Sequence, residues 1–520
     1  MHDDEYGALD AVALAAAVAR GETTAAELLD IAIRRTAELN PALNAVVRSM
    51  ESFAAQQVTA PLTGPFAGVP FLLKDLLQDF AGVPTSAGSQ VLAEVPAPAH
   101  ATVVRRWLDA GLVIFGKTNT SEFGAKAVTE TDLFGPARNP WHLGRTPGGS
   151  SGGAAAAVAA GIVPVAGATD GGGSIRIPAA CCGLFGLKPG RGLIPAGPNH
   201  AELLNGSATH GVISRSVRDT AAMLDVLRGQ DAVPPYLPAL PNSCFLDEVG
   251  RDPGRLRIGY RLESILGTMP SVEAVAAVRD AADLLTELGH DVEPADIELY
   301  DADSAADFLV PFFVQIAADV EAARRHGGRN GGFELDTLLA AAAGRAVRAP
   351  EYAQAVSRWH RHRHRLAAFH SQYHLLLTPT LAQRPLQIGA STSPHLEQAV
   401  GRALLNSRTA ALVHRIGVFE RIARRQLTWA PYTQLANITG CPAASVPLYW
   451  TDDGLPLGVQ FVAPPAGEAL LIRLTAQLEA ARPWSSRRPP EWRRNKRGGY
   501  SSAADHRRFR LGGIDFCHRP

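Results

Sequence analysis

The stretch Gly148 to Lys188, GGSSGGAAAAVAAGIVPVAGATDGGGSIRIPAACCGLFGLK, restricts this chain more than any other, because it holds two glycine-bracketed serines, Ser150 and Ser174. Backbone N–H groups can turn toward a developing negative charge only where no Cβ blocks the approach and unusual φ/ψ values cost little. Gly171, Gly172 and Gly173 meet both conditions immediately before Ser174. Gly148, Gly149, Gly152 and Gly153 around Ser150 and Ser151 let one loop fold tightly against another, and AAAAVAA after them predicts a helix. Upstream, GPFAGVPFLLKDL carries Lys74 as the only cation in an otherwise apolar run. Buried lysines lose their protons readily. A neutral amine, a bridging hydroxyl and a second hydroxyl beside a row of N–H donors are the parts of acyl-transfer chemistry.

PGGSSGG, TDGGGSIRIPA and CGLFGLKP, with the lysine of GVPFLLKDL, resemble the amidase signature family of serine hydrolases. Position by position, the resemblance implies a Ser–cis-Ser–Lys triad: Ser174 the acylated nucleophile, Ser150 the bridging serine, Lys74 the base. It also implies an oxyanion hole from the N–H groups of Gly171 to Ser174 and an approach of Gly124 to the substrate. Asp170, Arg176 and Ser151 would support that loop. RNPW at 138–141, Arg215 to Asp219 and GLPLGVQFVAP at 454–464 fit as well, so the likeness spans residues 5–490, with the core signature at 66–220. GPFAGVPFLLKDL, RNPWHLGRTPGGSSGG, GLKPGRGLIPAGP and AARPWSSRRPP look most like the bacterial amidases related to 6-aminohexanoate-cyclic-dimer hydrolase. Two positions depart: Gly171 stands where the family usually carries a larger side chain, and Ala154 where many members carry serine. The resemblance implies no metal or organic cofactor and a small amide as substrate, and leaves a homodimer open.

Periodicity predicts helices at 8–20 and 24–39, the second opened by a capping box from Thr24 to Glu27 and stopped at Asn40-Pro41. Phe66 to Leu73, Leu112 to Phe115 and Ile162 to Ala168 read as strands, with a helix at Ala101 to Ala110. Arg255 to Tyr260, Ser271 to Leu288 and His290 to Glu293 repeat strand, helix, strand. This alternation, with the resemblance, predicts an α/β amidase-signature fold whose central mixed, largely parallel sheet is covered by helices on both faces. Residues 301–372 read as helical and poor in motifs, the expected lid or specificity region. Strands at Leu375 to Leu377 and Ala444 to Pro447, a hairpin at Asp453-Gly454 and a closing helix complete the domain. Beyond Pro490 a basic run without period predicts a disordered tail over 491–520.

Lys+Arg of 50 against Asp+Glu of 50 leaves no global field for nucleic acid or anionic membrane. An acidic N-terminus, no apolar run of membrane-spanning length and five scattered cysteines together predict the cytoplasm. Gly111 to Thr118 matches the phosphate-loop pattern letter for letter, but its intervening residues read as the strand itself. Two overlapping G-x-S-x-G matches keep an α/β-hydrolase-type esterase using Ser150 or Ser151 as a rival, although Pro140, Gly144 and Pro147 argue against the strand it needs. His360, His362 and His364, interleaved with arginines, read as a solvated basic helix face rather than a metal site. The amidase subunit of a glutamyl-tRNA amidotransferase is the other alternative.

Overall fold

The computed structural model describes residues 1–492 apart from 232–233, 239–242, 265–266, 296–302, 328–330, 392–394, 407–426 and 491. Strands β1 (Val46–Ser49), β2 (Pro70–Lys74) and β3 (Val113–Thr118) precede a short pair, β4 (Glu130–Thr131) and β5 (Gly135–Pro136). β6 (Val165–Asp170), β7 (Gly186–Lys188) and β8 (Thr209–Ser214) lie in and after the glycine-rich stretch. β9 (Arg257–Tyr260), β10 (Asp291–Pro294), β11 (Leu375–Pro379), β12 (Ala443–Trp450) and β13 (Pro456–Val462) follow. One sheet runs β1-β3-β2-β6-β8 and a second β10-β9-β11-β13-β12-β7. Phe185 and Ser214 exchange backbone hydrogen bonds of 3.0 and 3.2 Å, which bridges the two sheets.

The sheets are mixed. Parallel pairing is confined to β2 with β3 and β6, and to β9 with β10 and β11. The antiparallel share is larger than the strand–helix alternation suggests, because β12 and β13 form a hairpin and β1 and β8 add antiparallel edges. Every residue of β2, β3, β6 and β8 is buried, so this part of the sheet is covered on both faces. The alanine-rich helix Gly152–Ala159 is buried throughout; its small side chains let it pack closely over β6 and β2.

Several elements depart from their predicted ends. The helix expected at 8–20 spans Ala11–Ala19, with the Asp10 side chain capping it by accepting from Ala13 N, and a further short helix, Asp3–Ala8, precedes it. The capping box of Thr24 and Glu27 forms, but the helix continues through Pro41 to Leu43. The amide that Pro41 lacks falls in the last turn, where it costs one bond. Asn40 then redirects the chain, its Oδ1 accepting from Ala45 N and Val46 N at 2.8 Å each, which leads into β1.

The described part of residues 301–372 is mostly helical: Ser304–Gly327, Leu335–Ala346 and Ala349–His370. The histidine-rich face is not solvated throughout. His360 and His364 are exposed, with ring nitrogens 2.8 Å apart, but His362 is buried and meets Asp307 Oδ2 at 2.9 Å. Arg358 and Trp359 also bond Asp307, so this face seals the helix pair. Among the described residues no cluster of metal-ligating side chains occurs, and no helix is long and apolar enough to cross a membrane.

Trp492, two positions past Pro490, packs on the domain. Trp492 lies against the guanidinium groups of Arg35, Arg215 and Arg488 at 4.9, 5.5 and 4.3 Å and covers Gly7 and Gly161. Residues 493–520, where the tail is expected, lie outside the described residues. A chain ending at Trp492 is expected to melt like the full chain. One ending at Pro490 should melt lower, by the ~1–3 kcal/mol of a lost aromatic contact. Equal thermal transitions for the two truncations would show that Trp492 contributes nothing.

Candidate active site

β2 ends at Lys74, whose backbone N–H donates to Gln78 Oε1 at 2.7 Å while Gln78 Nε2 reaches Ala168 O on the neighbouring strand. The side chain is fully buried, and Nζ lies 2.7 Å from Ser150 Oγ and 2.8 Å from Thr169 Oγ1. Burial lowers the Lys74 pKa to about 7, against the opposing pull of the Asp170 charge. Asp75, next in sequence, faces elsewhere: its carboxylate accepts from Ser86 N at 3.1 Å and from the Ser86 hydroxyl, and lies 3.9 Å from Lys117. Lys117 belongs to β3 and is itself buried, so the phosphate-loop pattern is an ordinary strand here.

Ser150 follows a cis Gly149–Ser150 peptide bond. A Cβ on Gly149 would lie 2.6 Å from the backbone carbon of Val128, so only glycine permits that approach. Thr129 holds the loop: its Oγ1 donates toward Gly148 O and Ser150 O and accepts from Gly152 N, all within 3.2 Å. Asn139 and Trp141 of the RNPW block pin the preceding segment to the carbonyls of Cys181 and Cys182, at 2.8 Å each. No strand precedes Ser150, so the nucleophile-elbow geometry is absent there. Ser151 is fully buried and bridges Thr169, donating to its carbonyl and accepting from its N–H at 3.3 and 3.4 Å.

After β6 the loop Gly171 to Ser174 wraps the Asp170 carboxylate, which accepts from Gly173 N, Ile175 N and the Asn437 amide. Arg176 grips the same carboxylate through Nε and Nη2 at 2.9 Å each and also reaches Thr433 O, Gln460 and Asn437. Burial alone would raise the Asp170 carboxyl, but Arg176, Lys188 and Asn437 hold it far below the usual carboxylate range. Removing one member of this buried pair would leave the other unpaired, a cost of about 3–5 kcal/mol. Asp170 and Arg176 thus stabilise the loop by satisfying its interior.

One expected donor is already engaged. Gly173 N–H points at Asp170 Oδ1 at 2.8 Å, and its positive φ of 125° turns it inward, so it is not aimed at the cavity. The N–H groups of Gly171, Gly172 and Ser174 have no acceptor among the described residues, and all three residues border the cavity. The Gly172 carbonyl is drawn the other way by Thr433 Oγ1 and Gln434 Nε2, at 2.6 and 3.1 Å. Thr129, Thr169, Thr433, Gln434, Asn437 and Gln460 were not singled out from sequence.

Ser150, Ser174, Gly124, Gly171 and Gly172 all line one cavity. A Cβ on Gly124 would lie 3.4 Å from Ser150 Oγ, so that glycine backs directly onto the serine. Ser174 is half-buried and, among the described residues, makes no side-chain hydrogen bond; none joins it to Ser150. Cys181 and Cys182 are buried thiols whose pKa values are pushed up by burial, unsuited to act as nucleophiles.

A mixed α/β fold thus sets a buried lysine against one serine and brings that serine, a second serine and backbone N–H donors to one cavity, a set of groups whose chemistry suits acyl transfer. The particular family is given by comparison: the family model described as Amidase matches residues 27–472. The 6-aminohexanoate-cyclic-dimer hydrolase of Pseudomonas sp. is 36% identical over 502 residues, covering 92% of this chain and 96% of that protein. A solved structure of 6-aminohexanoate cyclic dimer hydrolase complexed with substrate superposes with a TM-score of 0.84 at 34% identity, covering 94% of this chain and 99% of that one. The solved glutamyl-tRNA(Gln) amidotransferase chain from Thermotoga maritima gives a TM-score of 0.66 at 27% identity, covering 88% of this chain and 92% of that one. The chain belongs to the amidase signature family and is a hydrolase of amide bonds.

Proposed function

We propose that this amidase works through an acyl-enzyme on Ser174, with Ser150 and Lys74 as the proton relay. The observation that carries this reading is the 2.7 Å contact between the buried Lys74 Nζ and Ser150 Oγ at the edge of the cavity that Ser174 also borders. With the amine neutral, one N–H donates to Thr169 Oγ1 and the lone pair is left for the Ser150 hydroxyl. Ser174 Oγ bonds to the amide carbon, its proton passes to Ser150 Oγ, and the Ser150 proton passes to Lys74 Nζ. The carbonyl oxygen gains charge against the N–H groups of Gly171, Gly172 and Ser174. The C–N bond then breaks as the relay returns the proton to the leaving nitrogen, and water repeats the sequence to release the acid and restore Ser174. Hydrogen bonds of such relays commonly tighten only when substrate is bound, as the Ser150–Ser174 step requires here.

Leu76, Phe123, Phe308, Phe312 and Ile316 make the cavity walls apolar, which favours amides with an aliphatic or aryl body over acetamide. The amidotransferase reading stands behind this one, since the likeness to that enzyme is weaker over less of the chain. A panel from acetamide and benzamide to linear and cyclic short oligoamides, followed by amine or ammonia release, is expected to show turnover by this chain alone, fastest on the apolar members. Release confined to glutamine, and only with a second protein present, would contradict it.

A further inference from the structure

The helix Ser304–Gly327 lays Phe308, Phe312, Gln315, Ile316 and Asp319 along the cavity at the three- and four-residue spacing of one helix face. Four of these complete a largely apolar wall with one amide; Asp319 does not fit it. One Asp319 oxygen accepts from Gln315 Nε2 at 2.9 Å, and among the described residues the other makes neither a hydrogen bond nor an ion pair. No lysine or arginine lining the cavity is placed to answer it, and the one neighbouring base is the His200 imidazole. Lys126 is committed to Glu334 and Asp336 at 2.8 and 3.0 Å, and His200 stands exposed at the mouth. Glu202, the other lining carboxylate, accepts from the Tyr236 hydroxyl. A carboxylate held in apolar surroundings without a cation is costly, and a ligand that brings the cation relieves that cost. Consistently, burial pushes the Asp319 carboxyl up, eased only by Gln315 and the neighbouring His200.

Resting on the amidase reading above, we infer that Asp319 is a specificity-determining residue that selects amides carrying an ammonium group separated from the scissile bond by an apolar spacer. The spacer lies along Phe308, Phe312 and Ile316, and the ammonium donates to the open Asp319 oxygen.

Two matched series test this: ω-aminoalkanoyl p-nitroanilides against alkanoyl p-nitroanilides of equal length, and N-(ω-aminoalkyl) amides against N-alkyl amides, with spacers of roughly two to eight methylenes. In one series the wild-type enzyme is expected to favour the ammonium member by about tenfold or more in kcat/KM at a preferred length, through KM. Asp319→Asn should bring that ratio close to one, and Asp319→Glu should keep it while shifting the preferred length. Thermal unfolding of each variant separates misfolding from lost recognition. An absent preference at every length in both series, or one that survives in Asp319→Asn, overturns the inference. Failure of the amidase reading looks different, since the neutral members would then not be hydrolysed either.

Discussion

Ser174→Ala is expected to lose amide turnover by a factor on the order of 10⁴ or more while melting like the parent enzyme. The hydroxyl is half-buried at the cavity and, among the described residues, holds no hydrogen bond, so its removal breaks no network. Ser151→Ala should differ in kind. That hydroxyl ties the Thr169 N–H and carbonyl, so its loss should loosen the strand that carries Thr169 and Asp170 and lower the melting temperature. Steady-state kinetics and thermal unfolding on both variants separate the roles. A Ser174→Ala enzyme retaining a tenth of its activity would remove Ser174 from the chemistry.

Lys74 gives the second large effect. An unperturbed lysine is almost wholly protonated at neutral pH, but burial brings this amine to about 7. Deprotonation activates a base, so kcat/KM on a neutral amide should rise with pH through about 7 and then level off. Lys74→Ala should lower kcat/KM by roughly 10²–10⁴-fold, the usual range for losing a general base. Lys74→Arg should not restore it, because a guanidinium stays protonated and its planar fork does not fit a site that holds an amine between Ser150 and Thr169. If Lys74 served only to attract substrate by charge, the order would reverse: Arg would be partly active and the rate would fall as pH rises. Profiles of parent and variants over about pH 5 to 9 distinguish the two.

The parts of this site that were legible in sequence are those encoded by neighbours along the chain. Lys74 stood out as one cation in an apolar strand, and Ser150 and Ser174 were marked by flanking glycines. What was not legible comes from distance. Asn437 and Gln460 reach Arg176 from more than 250 residues away, and nothing local distinguishes them from ordinary buried amides. Thr169 and Thr129 read as β-branched strand and loop formers, and only the fold turns their hydroxyls to Lys74 and to the Ser150 loop. The Gly173 N–H could not be told from its neighbours because its engagement by Asp170 is a matter of loop curvature. Likewise Trp492 lies inside a basic run whose composition hides a single docked ring.

In the proposed mechanism Ser174 carries the acyl group. Treatment with phenylmethylsulfonyl fluoride, followed by proteolysis and peptide mass mapping, reads that assignment at the residue. The adduct is expected on Ser174, forming faster as pH rises through about 7 and lost in Ser174→Ala. An adduct on Ser150 or Ser151 would contradict the assignment.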